Sequence, residues 1–384
     1  MNYMKVVVAI DSLKGCLSSM EAGEAIKEGI LKAIPEAEVR VCPLADGGEG
    51  TVETLVLGMG GNLELVKVTG PLGEQIDCTY GILEDRKTAI VEMSGAAGIT
   101  LVPEDSRNPL YTTTYGVGEV IRDAIAKGCR HFIVGIGGSA TNDGGIGMLQ
   151  ALGYGMLDKD GVQVPLGARG LKEIVTITDD AVIPELKECT FRVACDVSNP
   201  LCGEHGCSRI FGPQKGADEK MILLMDQWLE MYAKLTSKKY EKADANQPGA
   251  GAAGGLGFAF LAYTNAILES GINIILEETK LERFIRDADI VVTGEGRLDG
   301  QTIYGKAPMG VANIAKKYGK PVIAFAGSVA IDAIECNKHG IDAFFPIIRS
   351  IQTLQEAMEP SMAKENMVST VEQVFRLQKL ILEK

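Results

Sequence analysis

Lys5-Val6-Val7-Val8-Ala9-Ile10 is apolar at every position after the first, and the polar turn Asp11-Ser12-Leu13-Lys14-Gly15 follows it. An unbroken apolar run of this length predicts a strand covered on both faces, as in a parallel sheet. Ala22, Ala25, Ile26, Gly29, Ile30 and Ala33 then recur at helical spacing. Ser18 and Glu21 form a capping box at the start of that helix, and Pro35 marks its stop. Val39-Arg40-Val41-Cys42 predicts the next strand, and a helix is expected from about Thr51. This βαβα opening is the pattern of a parallel sheet.

The C-terminal part repeats it. Asp289-Ile290-Val291-Val292-Thr293, Pro321-Val322-Ile323-Ala324-Phe325 and Ala343-Phe344-Phe345-Pro346-Ile347 read as buried strands. Helices are expected at about 305–318 and 328–339, and a last amphipathic helix over 361–383. The middle differs. Strands over 63–69, 76–83 and 88–93 leave no room for helices between them, which favours antiparallel or mixed pairing. A helix near 114–127, strands at 131–135 and 191–195, and helices near 218–236 and 253–269 follow, with 237–247 as a polar surface loop.

The predicted fold class is therefore α/β: a doubly wound parallel-sheet domain with a second α/β domain inserted into it. Residues 1–70 and 285–384 would form the discontinuous, Rossmann/flavodoxin-like domain, and 71–284 the insertion.

Composition narrows the function. The 384 residues are 46% hydrophobic, enough for two cores. With 38 basic and 51 acidic residues the net charge is −13, which excludes the electrostatic footprint of a nucleic-acid binder and disfavours an anionic membrane. No apolar run approaches the roughly 18–20 residues of a membrane span, and residues 1–10 read as a strand rather than a signal core. Nine scattered cysteines suit reduced thiols, so a cytoplasmic location is expected. Nothing in the pattern specifies an oligomeric state.

Glycine is the outlier, 46 of 384 residues or about 12% against a usual ~7%. It concentrates at 46–50, 135–147, 249–257 and 294–310. The second cluster, Gly135-Ile136-Gly137-Gly138-Ser139-Ala140-Thr141-Asn142-Asp143-Gly144-Gly145-Ile146-Gly147, directly follows a predicted strand. Backbone amides without Cβ atoms can converge on one anion there. The hydroxyl, amide and carboxylate groups among them suit a phosphate and its magnesium ion. The same stretch matches a dinucleotide fingerprint, with Asp158 or Asp160 about twenty residues on.

The other clusters carry chemistry beside plainer readings. Gly300-Gln301-Thr302-Ile303-Tyr304-Gly305-Lys306-Ala307 has Walker-like spacing, but Ala307 stands where the magnesium-binding hydroxyl belongs and no strand directly precedes it. It is a turn with a solvated lysine, or an anion-binding turn in which Lys306 and Arg297 neutralise charge and Glu295 or Asp299 holds metal. Asp46 and Glu49 are a helix cap or magnesium ligands. Asp196 and Asn199 before Pro200 are an Asx-turn or catalytic groups. Cys195, Cys202, His205 and Cys207 match no common zinc spacing. The three histidines, His131, His205 and His339, sit in no evident triad.

Taken together, several segments in order resemble the bacterial glycerate kinase family, of the glycerate 2-kinase type. They are Ala9-Ile10-Asp11-Ser12-Leu13-Lys14-Gly15, Pro43-Leu44-Ala45-Asp46-Gly47-Gly48-Glu49-Gly50-Thr51, the loop 137–145, and Cys195-Asp196-Val197-Ser198-Asn199-Pro200-Leu201. Phe211-Gly212-Pro213-Gln214-Lys215-Gly216-Ala217, residues 248–257 and Thr293-Gly294-Glu295-Gly296-Arg297-Leu298-Asp299 complete them. The resemblance implies ATP-dependent phosphorylation of D-glycerate, expected to give 2-phosphoglycerate, with ATP and Mg2+ required.

The role assignments go beyond the resemblance. A cleft between the two domains is expected, with Gly137, Gly138, Ser139, Thr141, Asn142 and Gly144 cradling a phosphate-bearing ligand. Lys14 and Lys306 would neutralise charge, and Asp46, Glu49 or Glu295 would hold magnesium. Asp196 would orient the glycerate hydroxyl as base, Arg297 would bind its carboxylate, and Asn199 and Ser12 would contact the substrate. A nicotinamide-dependent dehydrogenase and a non-catalytic nucleotide-binding regulator stand as alternatives.

Overall fold

The computed structural model describes residues 3–42, 44, 50–85 and 87–382. Its strands are β1 (Lys5–Val8), β2 (Glu38–Val41), β3 (Gly61–Thr69), β4 (Gln75–Leu83), β5 (Thr88–Glu92), β6 (His131–Gly135), β7 (Gly155–Leu157), β8 (Thr176–Thr178), β9 (Thr190–Ala194), β10 (Ala266–Glu269), β11 (Ile290–Leu298), β12 (Val322–Val329) and β13 (Ala343–Pro346). The chain folds into two compact units. One comprises Met1–Asp46, Leu57–Met59 and Ile272–Lys384; the other comprises Gly47–Val56 and Gly60–Gly271.

The first unit holds a parallel five-stranded sheet in the order β13-β12-β11-β1-β2. Counted within the unit this is 2-1-3-4-5, the flavodoxin-like order. Val6, Val7 and Val8 are at most 4% exposed, as a strand covered on both faces requires. The helix Ser19–Ala33 begins with the Ser18–Glu21 capping box in place. Its apolar face, Ala22, Ala25, Ile26 and Ile30, packs with Met367, Val371 and Phe375 of the helix Pro360–Leu382 in one core. Gly29 lets the two helices approach closely: a Cβ there would stand 2.6 Å from the Val368 carbonyl oxygen. Strand β11 runs five residues past the apolar stretch that announces it, pairing Glu295 with Ala326 and Arg297 with Ser328.

The second unit holds a mixed six-stranded sheet, β10-β9-β6-β5-β4-β3. β3, β4 and β5 pair antiparallel; β5, β6, β9 and β10 run parallel. Phe132 and Phe191 stack at 4.8 Å in its core, and Phe260 packs against Phe191 at 5.6 Å.

The division differs from the expected one. β3 pairs with β4 over all nine residues and so belongs to the second unit, and Ile272 onward belongs to the first. The expected helix near 253–269 is two elements: a helix Ala252–Tyr263, then β10, which pairs with β9. The segment expected as a helix over 328–339 is a single-turn 3-10 piece, Ile331–Ile334, and a short helix Glu335–Lys338. Among the described residues no helix is long and apolar enough to cross a membrane.

Candidate functional site

In the second unit, β5, β6 and β9 run parallel, so their carboxyl ends lie along one edge of the sheet, where open α/β sheets bind ligands. The glycine-rich loop leaves β6 at that edge. It is stitched down on one side by Ile99 N to Gly138 O (2.8 Å) and Ala140 N to Ala97 O (2.9 Å), and on another by Gly144 N to Gly254 O (2.9 Å). Asp143 is fully buried and accepts from Thr114 N at 2.9 Å, from Thr114 Oγ1 at 2.9 Å and from Gly145 N at 3.0 Å. Burial pushes its carboxyl above the usual range against the pull of those donors.

These bonds sort the expected phosphate-binding residues. Asn142 turns inward, donating to Ser208 Oγ at 2.8 Å. Thr141 is fully buried, and its hydroxyl oxygen has no hydrogen-bond partner. Gly144 is committed to Gly254. Gly137 and Gly138 are exposed and Ser139 is 8% exposed. Among the described residues no acceptor takes the amides of these three. The loop thus offers three adjacent N–H groups and one hydroxyl, while Thr141 and Asn142 belong to its foundation.

That foundation includes the third glycine-rich cluster, 249–257. Ala253, Gly254 and Gly255 are consecutive left-handed residues, with φ of 51°, 65° and 93°. A Cβ on Gly254 would overlap the Thr141 carbonyl oxygen, and one on Gly255 would stand 2.7 Å from Gly144 Cα. Two stretches of bare backbone therefore lie directly against each other.

Sequence reasoning assigned no role to Lys215. It ends the 3-10 turn Pro213–Lys215, is 2% exposed, and reaches under the loop to donate to Ser139 Oγ at 2.7 Å and Thr141 O at 2.6 Å. No carboxylate forms an ion pair with it among the described residues. Burial lowers its pKa from 10.5 to about 8. The Gly-Pro-Gln-Lys-Gly turn is the only local signal, and by itself it reads as a solvated lysine.

Asp196 follows β9 at the same edge and is exposed; its Oδ1 accepts from Gly271 N at 3.2 Å. Asn199 is half-buried and donates through Nδ2 to His205 O at 2.9 Å, a turn-closing bond. Asp158, the carboxylate of the dinucleotide pattern, accepts the amides of Asp160 and Val162 at 2.9 Å each and so closes its own turn. Cys207 is buried, bonds to Leu201 O at 3.1 Å, and is pushed up to about 12 by burial, the state of a neutral structural thiol.

In the first unit the strand order reverses between β1 and β11, and a second polar cluster sits at their carboxyl ends. Asp11 is 7% exposed, donates its amide to Gly294 O at 3.0 Å, and accepts Ser12 N on Oδ1 at 2.7 Å. Ser12 is half-buried and Lys14 exposed in the following turn. Glu295, on β11 and 8% exposed, accepts from Thr302 Oγ1 at 2.6 Å and pairs with Lys306 Nζ at 3.5 Å. Lys306 also meets Asp299 at 3.3 Å, and Arg297 stands 3.8 Å from the same carboxylate. Burial raises the Glu295 carboxyl despite Thr302 and Lys306. For Asp299 burial is outweighed by Lys306, the Gln301 amide and Arg297, which hold it low.

Glu295, expected as a magnesium ligand, is engaged by two neighbours within this cluster. Thr302 already holds one of its oxygens, and an ammonium faces the other. Asp46 and Glu49 lie outside the described residues. Among the described residues no three acidic, histidine or cysteine side chains gather as a metal site.

A model of the glycerate kinase family matches residues 6–379. The glycerate 2-kinase of Escherichia coli (strain K12) is 49% identical over 354 residues, 92% of this chain and 93% of that one. The glycerate kinase of Bacillus subtilis (strain 168) is 46% identical over 356 residues, 93% of each. A crystal structure described as a glycerate kinase 2 from Salmonella typhimurium LT2 is similar with a TM-score of 0.92 and 45% identity, covering 100% of both chains.

Proposed function

The chain belongs to the glycerate kinase family, and from that premise we propose that it transfers the terminal phosphoryl group of ATP to D-glycerate, giving 2-phosphoglycerate. The observation that carries the chemistry is the 137–139 loop: three amides with no acceptor among the described residues and a hydroxyl at a strand end, backed by a buried ammonium. Phosphoryl transfer asks little covalent work of a protein. It asks for charge neutralisation and alignment, which fixed amides and a desolvated cation provide. The name of the Escherichia coli relative supports the 2-position.

In this reading Asp196, exposed beside the loop's strand edge, takes the proton of the acceptor hydroxyl as the phosphoryl group leaves ADP. Lys306 and Arg297 bring positive charge to the second cluster, where anionic substrate groups are met; Lys14 adds a further cation. Magnesium is the expected companion of the nucleotide, carried chiefly by the phosphate oxygens. We assign the protein to the cytoplasm on its cysteine usage.

The test is ADP release from MgATP, coupled to NADH oxidation, with and without D-glycerate. Release that depends on D-glycerate supports the reading; release indifferent to it, or none, overturns it. Proton-coupled phosphorus NMR of the product then reads the position. A phosphate on the 2-carbon couples to one proton and gives a doublet. A triplet would place the phosphate on the 3-carbon.

A further inference from the structure

We propose that Lys215 is a positioning residue that charges the 137–139 loop for an anionic substrate group, aiming the Ser139 hydroxyl at it from behind. The proposal rests on the kinase reading for the identity of the anions, phosphoryl or carboxylate. Its geometry does not depend on that reading.

An ammonium only donates, so Ser139 Oγ must accept from Lys215 at 2.7 Å. The hydroxyl hydrogen of Ser139 is thereby directed away from the lysine. Ser139 retains 8% exposure and its neighbours Gly137 and Gly138 are exposed, so a ligand can reach this part of the loop. A hydroxyl that accepts from a cation is polarised and becomes a stronger donor in turn. The second bond, to Thr141 O at 2.6 Å, fixes the far side of the loop to the same ammonium.

A purely structural role does not explain the charge. Buried cations are normally matched by a carboxylate, and even matched pairs can often be replaced by apolar side chains of similar volume without loss of stability. The titratable groups facing Lys215 are Asp143, from the loop, and Cys207, from the helix Cys207–Phe211. Asp143 attracts the ammonium from a distance but forms no ion pair with it, its carboxylate being bonded to Thr114 and Gly145, and the Cys207 thiol is neutral at physiological pH. A desolvated ammonium with no carboxylate in contact among the described residues has a place for the anionic group of a ligand.

The experiment uses the full chain as wild type, Lys215→Met, Lys215→Arg and Ser139→Ala. Calorimetric titration with MgATP alone and with D-glycerate alone measures each affinity without turnover. Lys215→Met is expected to lose roughly tenfold to a hundredfold in affinity for one of the two. Loss for MgATP identifies a phosphoryl group at the loop, and loss for D-glycerate a carboxylate. Ser139→Ala should lose part of the same affinity, and adding Ser139→Ala to Lys215→Met should cost little more. Wild-type affinity for that ligand should fall as pH rises through about 8, whereas Lys215→Arg, which keeps its charge, should hold its affinity across that range.

Unchanged affinity of folded Lys215→Met for both probes overturns the proposal. So does wild-type binding that is flat through pH 8 to 10, a readout that stands even if Lys215→Met fails to fold. If Lys215 governs binding but the wild type makes no phosphoglycerate, the kinase reading falls and the proposal stands. If turnover is normal and Lys215→Met binds normally, only the proposal falls.

Discussion

Replacing Lys215 with methionine should change how stability depends on pH, with a sign that can be worked out. The amine titrates at about 8 in the fold against 10.5 when free. Folding therefore weakens proton binding by roughly 3 kcal/mol. Below pH 8 both folded and unfolded chains carry the proton, and the penalty of about 3 kcal/mol is constant. Between pH 8 and 10.5 the unfolded chain holds more protons, so native stability rises with pH. From pH 7 to pH 10 the wild type should gain roughly 2 to 3 kcal/mol relative to Lys215→Met, whose side chain does not titrate. The single tryptophan, Trp228, packs against the core of the second unit. Its fluorescence reports urea unfolding of the unit that holds the lysine. With an m-value of about 2 kcal/mol/M, the gap between the two midpoints should move by roughly 1 M. Every other titrating group is common to both chains and cancels in the difference. A gap that stays fixed, or that moves against the wild type as pH rises, would refute a charged lysine in a desolvated site.

Asp196→Asn should lower kcat by roughly a hundredfold or more with little change in melting temperature, because the side chain is exposed; steady-state kinetics and a thermal scan together check this. Asp143→Ala leaves Thr114 N and Gly145 N without their acceptor in a sealed interior. It should cost about 3 kcal/mol, read from urea denaturation. The Glu295 carboxyl is raised by folding, so the native state binds its proton more tightly than the unfolded chain. Wild type should therefore lose stability relative to Glu295→Gln as pH rises upward from 4.5, measured by thermal melts at stepped pH. Gly254→Ala puts a Cβ into the Thr141 carbonyl at a φ of 65°, and should cost at least about 2 kcal/mol and weaken substrate binding.

The parallel framework was legible because buried strands and capped helices leave local marks. The apolar run at Val6 to Ile10 and the Ser18–Glu21 box are such marks, and both match the observed elements. The end of β11 left none: its ladder continues through Gly294-Glu295-Gly296-Arg297, where hydrogen bonds to β12 persist after hydrophobicity stops. The stretch after Leu256 is apolar almost without interruption, so periodicity could not separate the helix Ala252–Tyr263 from β10. At the site, the position of the glycine loop at a strand end could be read from sequence. Which of its side chains faced outward could not, because an irregular loop has no period. Asn142 points inward only because Ser208 is there to receive it, 66 residues on. Lys215 is buried only because Ser139 lies 76 residues before it in sequence and directly above it in space.

The contact between bare backbone at Thr141 to Gly144 and at Ala253 to Gly255 has a consequence for engineering. Side chains at an interface can adopt another rotamer when one partner changes; two peptide planes pressed together cannot. The two loops, more than a hundred residues apart in sequence, therefore behave as a single transferable part. A chimera that imports 137–145 from a distant relative while keeping the native 249–257 should express as misfolded protein, and importing both together should restore it. Directed evolution of substrate choice would do better to vary the exposed Gly137 than to diversify either half of that pair alone, and should spare Gly138, whose φ of 71° favours glycine.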